Sequence, residues 1–244
     1  MYFLSIESST KVFSLALSRD AKVLRFRNLN VDKALEHSIV PAIDKILGSA
    51  GISFKKLDAF AVGIGPGSFT SLRVGLATVK AFAMATGKPV VGISSLDVIA
   101  QGTAVTPCDE ICVLSDARRG MVYAAIYGST RPDQTVGTRS PQAANLKRKS
   151  DHMLCGLNIV LDKVHGKTLF VGDGAGLYRD EIIRAYKECN GSCTAVFAAR
   201  NLWHPKAKVL AKLAFERLAA RDYDDSERLV PLYLYAADCQ VQKS

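Results

Sequence analysis

A glycine-rich stretch, GIGPGSFTSLRVG at residues 63–75, follows an apolar strand-like run and leads into a helical pattern. Many loops that hold phosphate groups are arranged in this way. A Walker loop, however, needs a lysine that is missing after Gly67, and a dinucleotide loop needs a third glycine where Ser68 stands. Pro66 also lacks the N–H group that a bound anion would use. The pattern therefore favours, at least as strongly, a tight turn in which Ser68 caps the next helix.

Other residues that could carry chemistry are sparse. Glu7 ends the first strand-like run, and the hydroxyl residues 8–10 follow it. This carboxylate and these hydroxyl groups lie where they could contact a metal-bound nucleotide. A second glycine-rich turn, residues 172–176, contains Asp173, and Asp116 is a further candidate by residue type. An ATP-dependent small-molecule kinase or a nucleotide hydrolase would need such carboxylates together with complete phosphate loops.

The four histidines and six cysteines do not form a familiar metal or nucleophile motif. No two histidines are four residues apart, and the chain has no G-x-S-x-G elbow. Cys108 with Cys112 and Cys189 with Cys193 show C-x-x-x-C spacing, which is one residue wider than a zinc knuckle. A zinc site is a minor alternative. We predict reduced thiols and no metal.

The chain has 244 residues and a formal net charge of +9, from 32 basic and 23 acidic residues. A positive field favours phosphates and nucleic acid without sequence specificity. The short basic groups at 55–56, 118–119 and 147–149 have few aromatic residues among them, so a solvated surface and an RNA-binding face both stay open. The apolar runs are far shorter than the roughly 20 residues of a membrane span. The N-terminal sequence lacks signal-peptide features, so we expect a cytoplasmic protein without a membrane partner.

Hydrophobic periodicity predicts two partly similar halves. In the first half, three β-prone runs precede a helix, a strand, a second helix and a short strand. These elements are expected at residues 2–6, 12–18, 22–26, 33–50, 57–64, 69–86 and 89–93. The second half is expected to contain strands at 110–115, 121–127 and 167–171, a helix at 177–189, a last helix at about 206–220 and a β-like tail. A meander followed by β-α-β units predicts a mixed sheet with helices on its faces.

The helix predicted at residues 69–86 has two stripes that favour burial. The first stripe consists of Phe69, Leu72, Leu76, Val79 and Ala83. The second stripe consists of Gly75, Thr78, Phe82 and Ala85. One stripe should cover the sheet, and the other could cover the helix predicted at 33–50 or a partner chain.

These residues resemble those of the TsaB (YeaZ) family, which belongs to the actin, sugar-kinase and Hsp70 fold superfamily. The resemblance runs through FLSIESST, EHSIVPAIDKIL, AFAVGIGPGSFTSLRVGLATVKAFA, KPVVGISSLDVIA, LSDARRGMVYAAIYG and PLYLY. It implies an α/β, actin-like (ASKHA, ribonuclease H-like) fold with two lobes, residues 1–106 and 107–244. The last helix would pack back toward the first lobe.

The resemblance also implies a vestigial nucleotide cleft, with weak nucleotide binding at most and no required cofactor. The cleft residues would be Glu7, Ser9, Thr10, Gly65, Gly67, Ser68, Gly172, Asp173 and Gly174. Three positions depart from the family pattern, because Glu7 replaces an aspartate, Met121 a glutamate and Tyr235 an arginine.

The function implied by the resemblance is tRNA modification, namely formation of N6-threonylcarbamoyladenosine at position 37. In that pathway a paralogue, TsaD, performs the transfer, TsaB pairs with it, and the ATPase TsaE joins them. TsaD carries an H-x-x-x-H metal motif after the strand that corresponds to KPVVGI, where this chain has Ser95 and Ile99. An aliphatic side chain cannot ligate a metal. The resemblance therefore implies a non-catalytic subunit, with neither transferase nor metalloprotease activity.

Two helices form the partner interface that the resemblance implies, both for a homodimer in isolation and for binding to TsaD. Carried over to this chain, the interface comprises His37, Val40, Ile43, Leu47, Leu72, Gly75, Leu76 and Val79. A tRNA contact within the complex would use the positive surface. The kinase or hydrolase and an RNA-binding module stay as alternatives.

Overall fold

The computed structural model describes residues 1–30, 35–104, 106, 108–129, 146–188 and 193–234. The chain divides into two compact units. The first unit is Met1–Val98 with His204–Leu232, and the second is Ile99–Trp203 with the chain from Tyr233 onward. The boundary predicted after residue 106 therefore lies inside the second unit, while the last helix belongs to the first.

The predicted helices and strands occur in the predicted order, apart from the β-like tail, and the elements at residues 95–102, 146–148, 153–161 and 194–197 were not predicted. Its elements are β1 (Tyr2–Glu7), β2 (Val12–Arg19), β3 (Lys22–Asn30), α1 (Leu35–Gly48), β4 (Ala59–Gly63), α2 (Phe69–Thr86), β5 (Val90–Ile93), α3 (Ser95–Gly102), β6 (Glu110–Asp116), β7 (Met121–Ser129), β8 (Leu146–Arg148), β9 (Met153–Gly156), α4 (Leu157–Leu161), β10 (Lys167–Val171), α5 (Asp173–Leu177), α6 (Arg179–Glu188), β11 (Thr194–Phe197) and α7 (Ala207–Ala219). Short 3-10 turns occur at Phe54–Lys56 and Arg200–Leu202. The helix predicted at 177–189 is α6, and the glycine-rich turn predicted at 172–176 instead contains the short helix α5.

The first unit is built on a five-stranded mixed sheet with the order β3-β2-β1-β4-β5. β1, β2 and β3 pair antiparallel, and β4 pairs in parallel with β1 and with β5. Because side chains alternate across a strand, β1 contributes to two cores. Leu4 and Ile6 face the core under α1 and α2, whereas Phe3 faces the core under α7.

The ends of α2 are set by different groups. Gly87, with φ +66°, ends the helix and donates its N–H to the Ala83 carbonyl at 2.8 Å. At the other end, the expected cap by Ser68 is wrong. The Ser68 hydroxyl lies 3.0 Å from the Ser71 hydroxyl and makes no capping bond to the helix backbone.

Hydrogen bonds and an ion pair attach the segment after α7 to the sheet of the first unit. The Arg217 guanidinium bonds Asp224 and the Gly92 carbonyl, and Asp224 in turn accepts the Gly92 N–H at 2.7 Å. Further on, Leu232 donates its N–H to the Ile64 carbonyl at 2.8 Å. The described part of the predicted β-like tail is not a strand. Tyr235 lies outside the described residues.

The second unit repeats the pattern of the first. Its sheet has the order β11-β10-β6-β7-β8, with β9 also paired to β7. β6 pairs antiparallel with β7 and in parallel with β10, as β1 pairs with β2 and β4. The core under this sheet includes Phe170 and Ile182. Two mixed sheets flanked by helices, each with antiparallel strands followed by parallel strands, form an α/β fold, as the sequence predicts.

Candidate functional site

Hydrogen bonds to neighbouring residues of the first unit hold the glycine-proline-glycine turn after β4 in place. The Gly65 N–H donates to the Ser95 hydroxyl at 3.2 Å, and the Ser68 N–H donates to the Ser9 carbonyl at 2.7 Å. The Gly65–Pro66 peptide is cis, and Gly65 has φ +89°. A Cβ atom at Gly67 would overlap the Ser9 carbonyl. The turn therefore packs closely against the β1–β2 loop, and the N–H groups of Gly65 and Ser68 already donate to protein acceptors.

Glu7 is fully buried at the carboxyl end of β1. Its Oε1 accepts the Ser9 N–H at 2.8 Å, and the Ser95 hydroxyl donates to Oε2 at 3.0 Å. A Cβ atom at Gly63 would overlap this carboxyl group. Burial raises the pKa of Glu7 above its ordinary value of 4.5, although these hydrogen bonds oppose the shift. Glu7 thus links β1, β4 and α3 inside the first unit.

The other predicted cleft residues of the first unit lie around Glu7. Ser9 is buried, and its hydroxyl oxygen has no partner among the described residues. Thr10 is half-buried, and its hydroxyl accepts the Val12 N–H at 3.3 Å within the hairpin. The structure therefore brings Glu7, Ser9, Thr10, Gly65, Gly67 and Ser68 together. Glu7, Ser9 and Gly65 are buried, Thr10 and Gly67 are half-buried, and Ser68 is exposed, so Glu7 in particular does not reach the surface.

The predicted cleft residues of the second unit form the turn from β10 into α5. Gly172 has φ +111°, and a Cβ atom there would overlap the Leu114 carbonyl of β6. Asp173 Oδ1 accepts the Asp116 N–H at 3.1 Å and the Gly174 N–H at 3.0 Å. The turn therefore joins the ends of β10 and β6, and the Asp173 carboxylate is engaged by backbone donors.

Metal ligands do not assemble among the described residues. Cys108 and Cys112 are buried, and burial raises the pKa of both thiols, which disfavours the thiolate that zinc requires. Cys189, a member of the other C-x-x-x-C pair, lies outside the described residues. Ser95 is buried against Glu7, and Ile99 is buried as well.

The interface carried over from the resemblance needs correction. Six of its residues are buried within the first unit, where they pack against the sheet and neighbouring helix: Ile43, Leu47, Leu72, Gly75, Leu76 and Val79. A Cβ atom at Gly75 would overlap the Ser8 hydroxyl. These side chains form the monomer core and do not present a surface to a partner. His37 and Val40 of α1 are exposed, as a docking role requires.

The exposed side of α2 is different from the predicted one. Phe69 is 53% exposed, with the guanidinium of the exposed Arg73 3.5 Å from the centre of its ring, and Met84 is 69% exposed. Ala77 and Ala81 lie between them, also exposed. We call Phe69, Ala77, Ala81 and Met84 the outer α2 face. Its signal in the sequence is a stripe of small and apolar residues that remains after the sheet-facing stripe is assigned, and the placement of Phe69 on the buried stripe obscured it.

Among the residues described, no helix is both long and apolar enough to cross a bilayer.

Comparisons with known proteins agree with the fold and the motifs. The family model of TsaD, tRNA N6-adenosine threonylcarbamoyltransferase, matches residues 30–243. The tRNA threonylcarbamoyladenosine biosynthesis protein TsaB of Escherichia coli is 34% identical over 52% of this chain and 55% of its own. TsaB of Bacillus subtilis is 26% identical over 99% of this chain and 97% of its own. The chain spans about half the length of several curated relatives it matches, the E. coli protein among them.

A solved structure confirms the architecture. YeaZ from Pseudomonas aeruginosa superposes with a TM-score of 0.74 at 23% identity, covering 96% of this chain and 99% of that one. At this identity the likeness concerns the fold. Taken with the named relatives and the family model, it shows that the chain belongs to the TsaD family of tRNA N6-adenosine threonylcarbamoyltransferase and, within it, to the TsaB (YeaZ) proteins.

Proposed function

We propose that this chain is a non-catalytic partner subunit in the formation of N6-threonylcarbamoyladenosine at position 37 of tRNA. The E. coli and B. subtilis relatives are named for biosynthesis of this nucleoside, and the matching family model is that of the transferase. In this role the chain dimerises with a TsaD-like transferase in the cytoplasm, and a TsaE-like ATPase joins the pair. In isolation it forms a homodimer.

The observation that carries the non-catalytic role is the environment of Ser95 and Ile99. These residues stand where the resemblance places the metal-binding histidines of the transferase. Ser95 is buried and donates its hydroxyl to Glu7, and Ile99 is 3% exposed in the core. A buried hydroxyl committed to a carboxylate and a buried aliphatic chain offer no ligand pair for a metal.

We propose that this role requires no resident cofactor and that nucleotide binds weakly at most. A kinase or hydrolase needs a carboxylate that reaches its nucleotide-bound metal. Glu7 is enclosed by Gly63, Ser9 and Ser95, and its raised pKa favours the neutral form that binds cations poorly.

The docking surface that we propose for the transferase comprises the outer α2 face together with the exposed His37 and Val40 of α1, the helix that packs against α2. Its two large exposed side chains, Phe69 and Met84, provide apolar area, and the alanines between them allow a second helix to approach closely. Val40 adds a third apolar side chain, 47% exposed. Exposed apolar residues grouped on one helix favour a protein partner over solvent.

The replacement Ala81→Glu tests this surface, since it places a charge on the outer α2 face without disturbing the core. We expect copurification with the transferase to fall at least tenfold, because a carboxylate must be desolvated on docking. Ala219→Glu is the matched control, because Ala219 is an exposed alanine near the end of α7. If both variants copurify like the unmodified chain, the outer α2 face does not dock the transferase.

The function itself is tested by reconstitution with unmodified tRNA, a threonylcarbamoyl donor, the transferase and the ATPase. Mass spectrometry of the digested nucleosides measures the modified adenosine. We expect product when the transferase and this chain are both present. This chain with the ATPase but without the transferase should give none, and product from that mixture would overturn the non-catalytic role.

A further inference from the structure

The hairpin that joins β6 to β7 places two arginines in an unfavourable backbone conformation. Arg118 has φ +67°, Arg119 has φ +53°, and Gly120 follows with φ +73°. Glycine and asparagine adopt this left-handed region readily, whereas residues with long side chains seldom do. The turn geometry therefore does not account for arginine at two successive positions, and residues held in this way are often functional.

Both arginine side chains are directed to solvent. The Arg118 side chain is 79% exposed, and its Nε lies 3.7 Å from Asp116 Oδ2. Arg119 is exposed and forms no ion pair, hydrogen bond or ring contact with the residues that the structure describes. The positive charge of Arg119 at the tip of this hairpin therefore has no compensating partner in the part of the chain that the structure describes.

Backbone hydrogen bonds fix the turn to the start of α5. Asp116 Oδ1 accepts the Arg118 N–H at 2.8 Å, and Asp173 Oδ1 accepts the Asp116 N–H at 3.1 Å. Because both carboxylates accept backbone donors, their main role here is to position the turn. The arginines are thus presented on a rigid support.

Two further arginines lie on the segments that follow α5 and β11, at the same carboxyl ends of the strands as the hairpin. A Cβ atom at Gly176 would overlap the Trp203 ring, and the Arg200 guanidinium lies 5.5 Å from the centre of that ring. Nearby in sequence, the Arg179 guanidinium lies 4.1 Å from the centre of the Phe197 ring. Both arginines are exposed, and neither pairs with a described carboxylate.

Two acidic residues also lie on this surface. Asp180 and Glu181 directly follow Arg179 in the first turn of α6. Negative charge is favoured at that end of a helix. The surface is therefore mixed in charge at α6 and predominantly basic at the hairpin.

We infer that this surface binds RNA. It consists of Arg118, Arg119, Arg179, Arg200, Phe197 and Trp203, and we call it the arginine edge. Guanidinium groups bind phosphate oxygens in a bidentate manner, and their planes stack with unpaired bases. Cation–π contacts with Phe197 and Trp203 restrain the Arg179 and Arg200 guanidiniums for such contacts. The inference rests on the proposed function, which supplies tRNA as the RNA, and it adds the residues that meet it.

Fluorescence anisotropy with labelled, unmodified tRNA over a series of KCl concentrations tests the inference. The test variant is Arg118→Asn with Arg119→Asn, because asparagine tolerates the left-handed backbone and removes both charges. We expect affinity at about 0.1 M salt to fall at least fivefold. The salt dependence of log K should lose about 0.7 to 0.9 for each phosphate contact removed. The thermal midpoint should not decrease.

The matched control is Lys55→Asn with Lys56→Asn, an equal loss of charge on exposed residues of the first unit. We expect it to weaken binding less than twofold. Absence of binding by the unmodified chain at low salt, or equal losses in the two double variants, would overturn the inference. Equal competition by polyglutamate would also overturn it, because the edge would then be a general site for acidic chains. If tRNA modification still required this chain in any of these cases, the proposed function would stand although the RNA-binding inference had failed.

Discussion

At the scale of single residues, Glu7 is a fully buried carboxyl group that links β1, β4 and α3 in the first unit. Its carboxyl group is enclosed by a glycine, two serines and the turn after β4. The folded chain binds the Glu7 proton more tightly than the unfolded chain, since burial raises the pKa. Between the ordinary value of 4.5 and the raised pKa, unfolding releases this proton, so the free energy of unfolding decreases as the pH rises.

Glu7→Gln should remove this pH dependence. Relative to the unmodified chain, the variant should gain stability as the pH rises through that interval, by up to about 1.4 kcal/mol per pH unit. Urea unfolding at several pH values measures the difference, whatever the absolute stability of the variant. Glu216→Gln, at an exposed position on α7, is the control and should leave the pH profile unchanged. Parallel profiles for Glu7→Gln and the unmodified chain would contradict the burial of a titrating carboxyl group.

Sequence reasoning placed Glu7 at a strand end near hydroxyl residues, and the structure confirms that neighbourhood. It could not show that Ser95, distant in sequence, supplies the hydrogen bond that encloses the carboxyl group. It also could not find the left-handed arginines, because an Arg-Arg-Gly sequence permits several turn geometries. Backbone dihedrals at residues 118 and 119 are the missing information.

At the scale of elements, α2 shows how a helix with two apolar sides can be misassigned. Gly75 seemed suited to a partner contact, yet it lies against Ser8 in the monomer. The alanines that face solvent, Ala77 and Ala81, have the same small size. Periodicity predicts which side chains share a face of the helix, but tertiary contacts determine which face packs on the sheet. The helix itself was predictable, whereas its outer face was not.

Gly75→Ala should therefore destabilise the fold. The added methyl group overlaps the Ser8 hydroxyl, and overpacking of this kind costs about 1 to 3 kcal/mol. Gly48→Ala is a matched helical control, because nothing lies within 4 Å of the Cβ position there. We expect it to stabilise by about 0.5 to 1 kcal/mol. Chemical denaturation measures both, and equal effects of the two changes would mean that Gly75 is not in the packed core.

At the scale of the whole molecule, the sequence contains the same supersecondary pattern twice. In the first half, three antiparallel strands followed by parallel ones were predictable from hydrophobic alternation and from turn residues. In the second half only β6, β7 and β10 were predicted, and β8, β9 and β11 were not. The membership of α7 in the first unit was not contained in periodicity, because it depends on long-range bonds such as that from the Ala207 N–H to the Ser14 hydroxyl. The resemblance to family motifs supplied that expectation instead.

The central claim is that this chain acts by docking to a transferase rather than by its own catalysis. Its most direct test is the yield of N6-threonylcarbamoyladenosine in the reconstituted reaction, with Ala81→Glu compared against Ala219→Glu. We expect Ala219→Glu to support modification like the unmodified chain, and Ala81→Glu to lose modification in proportion to its loss of binding. Full modification by the transferase and ATPase in the absence of this chain would contradict the claim.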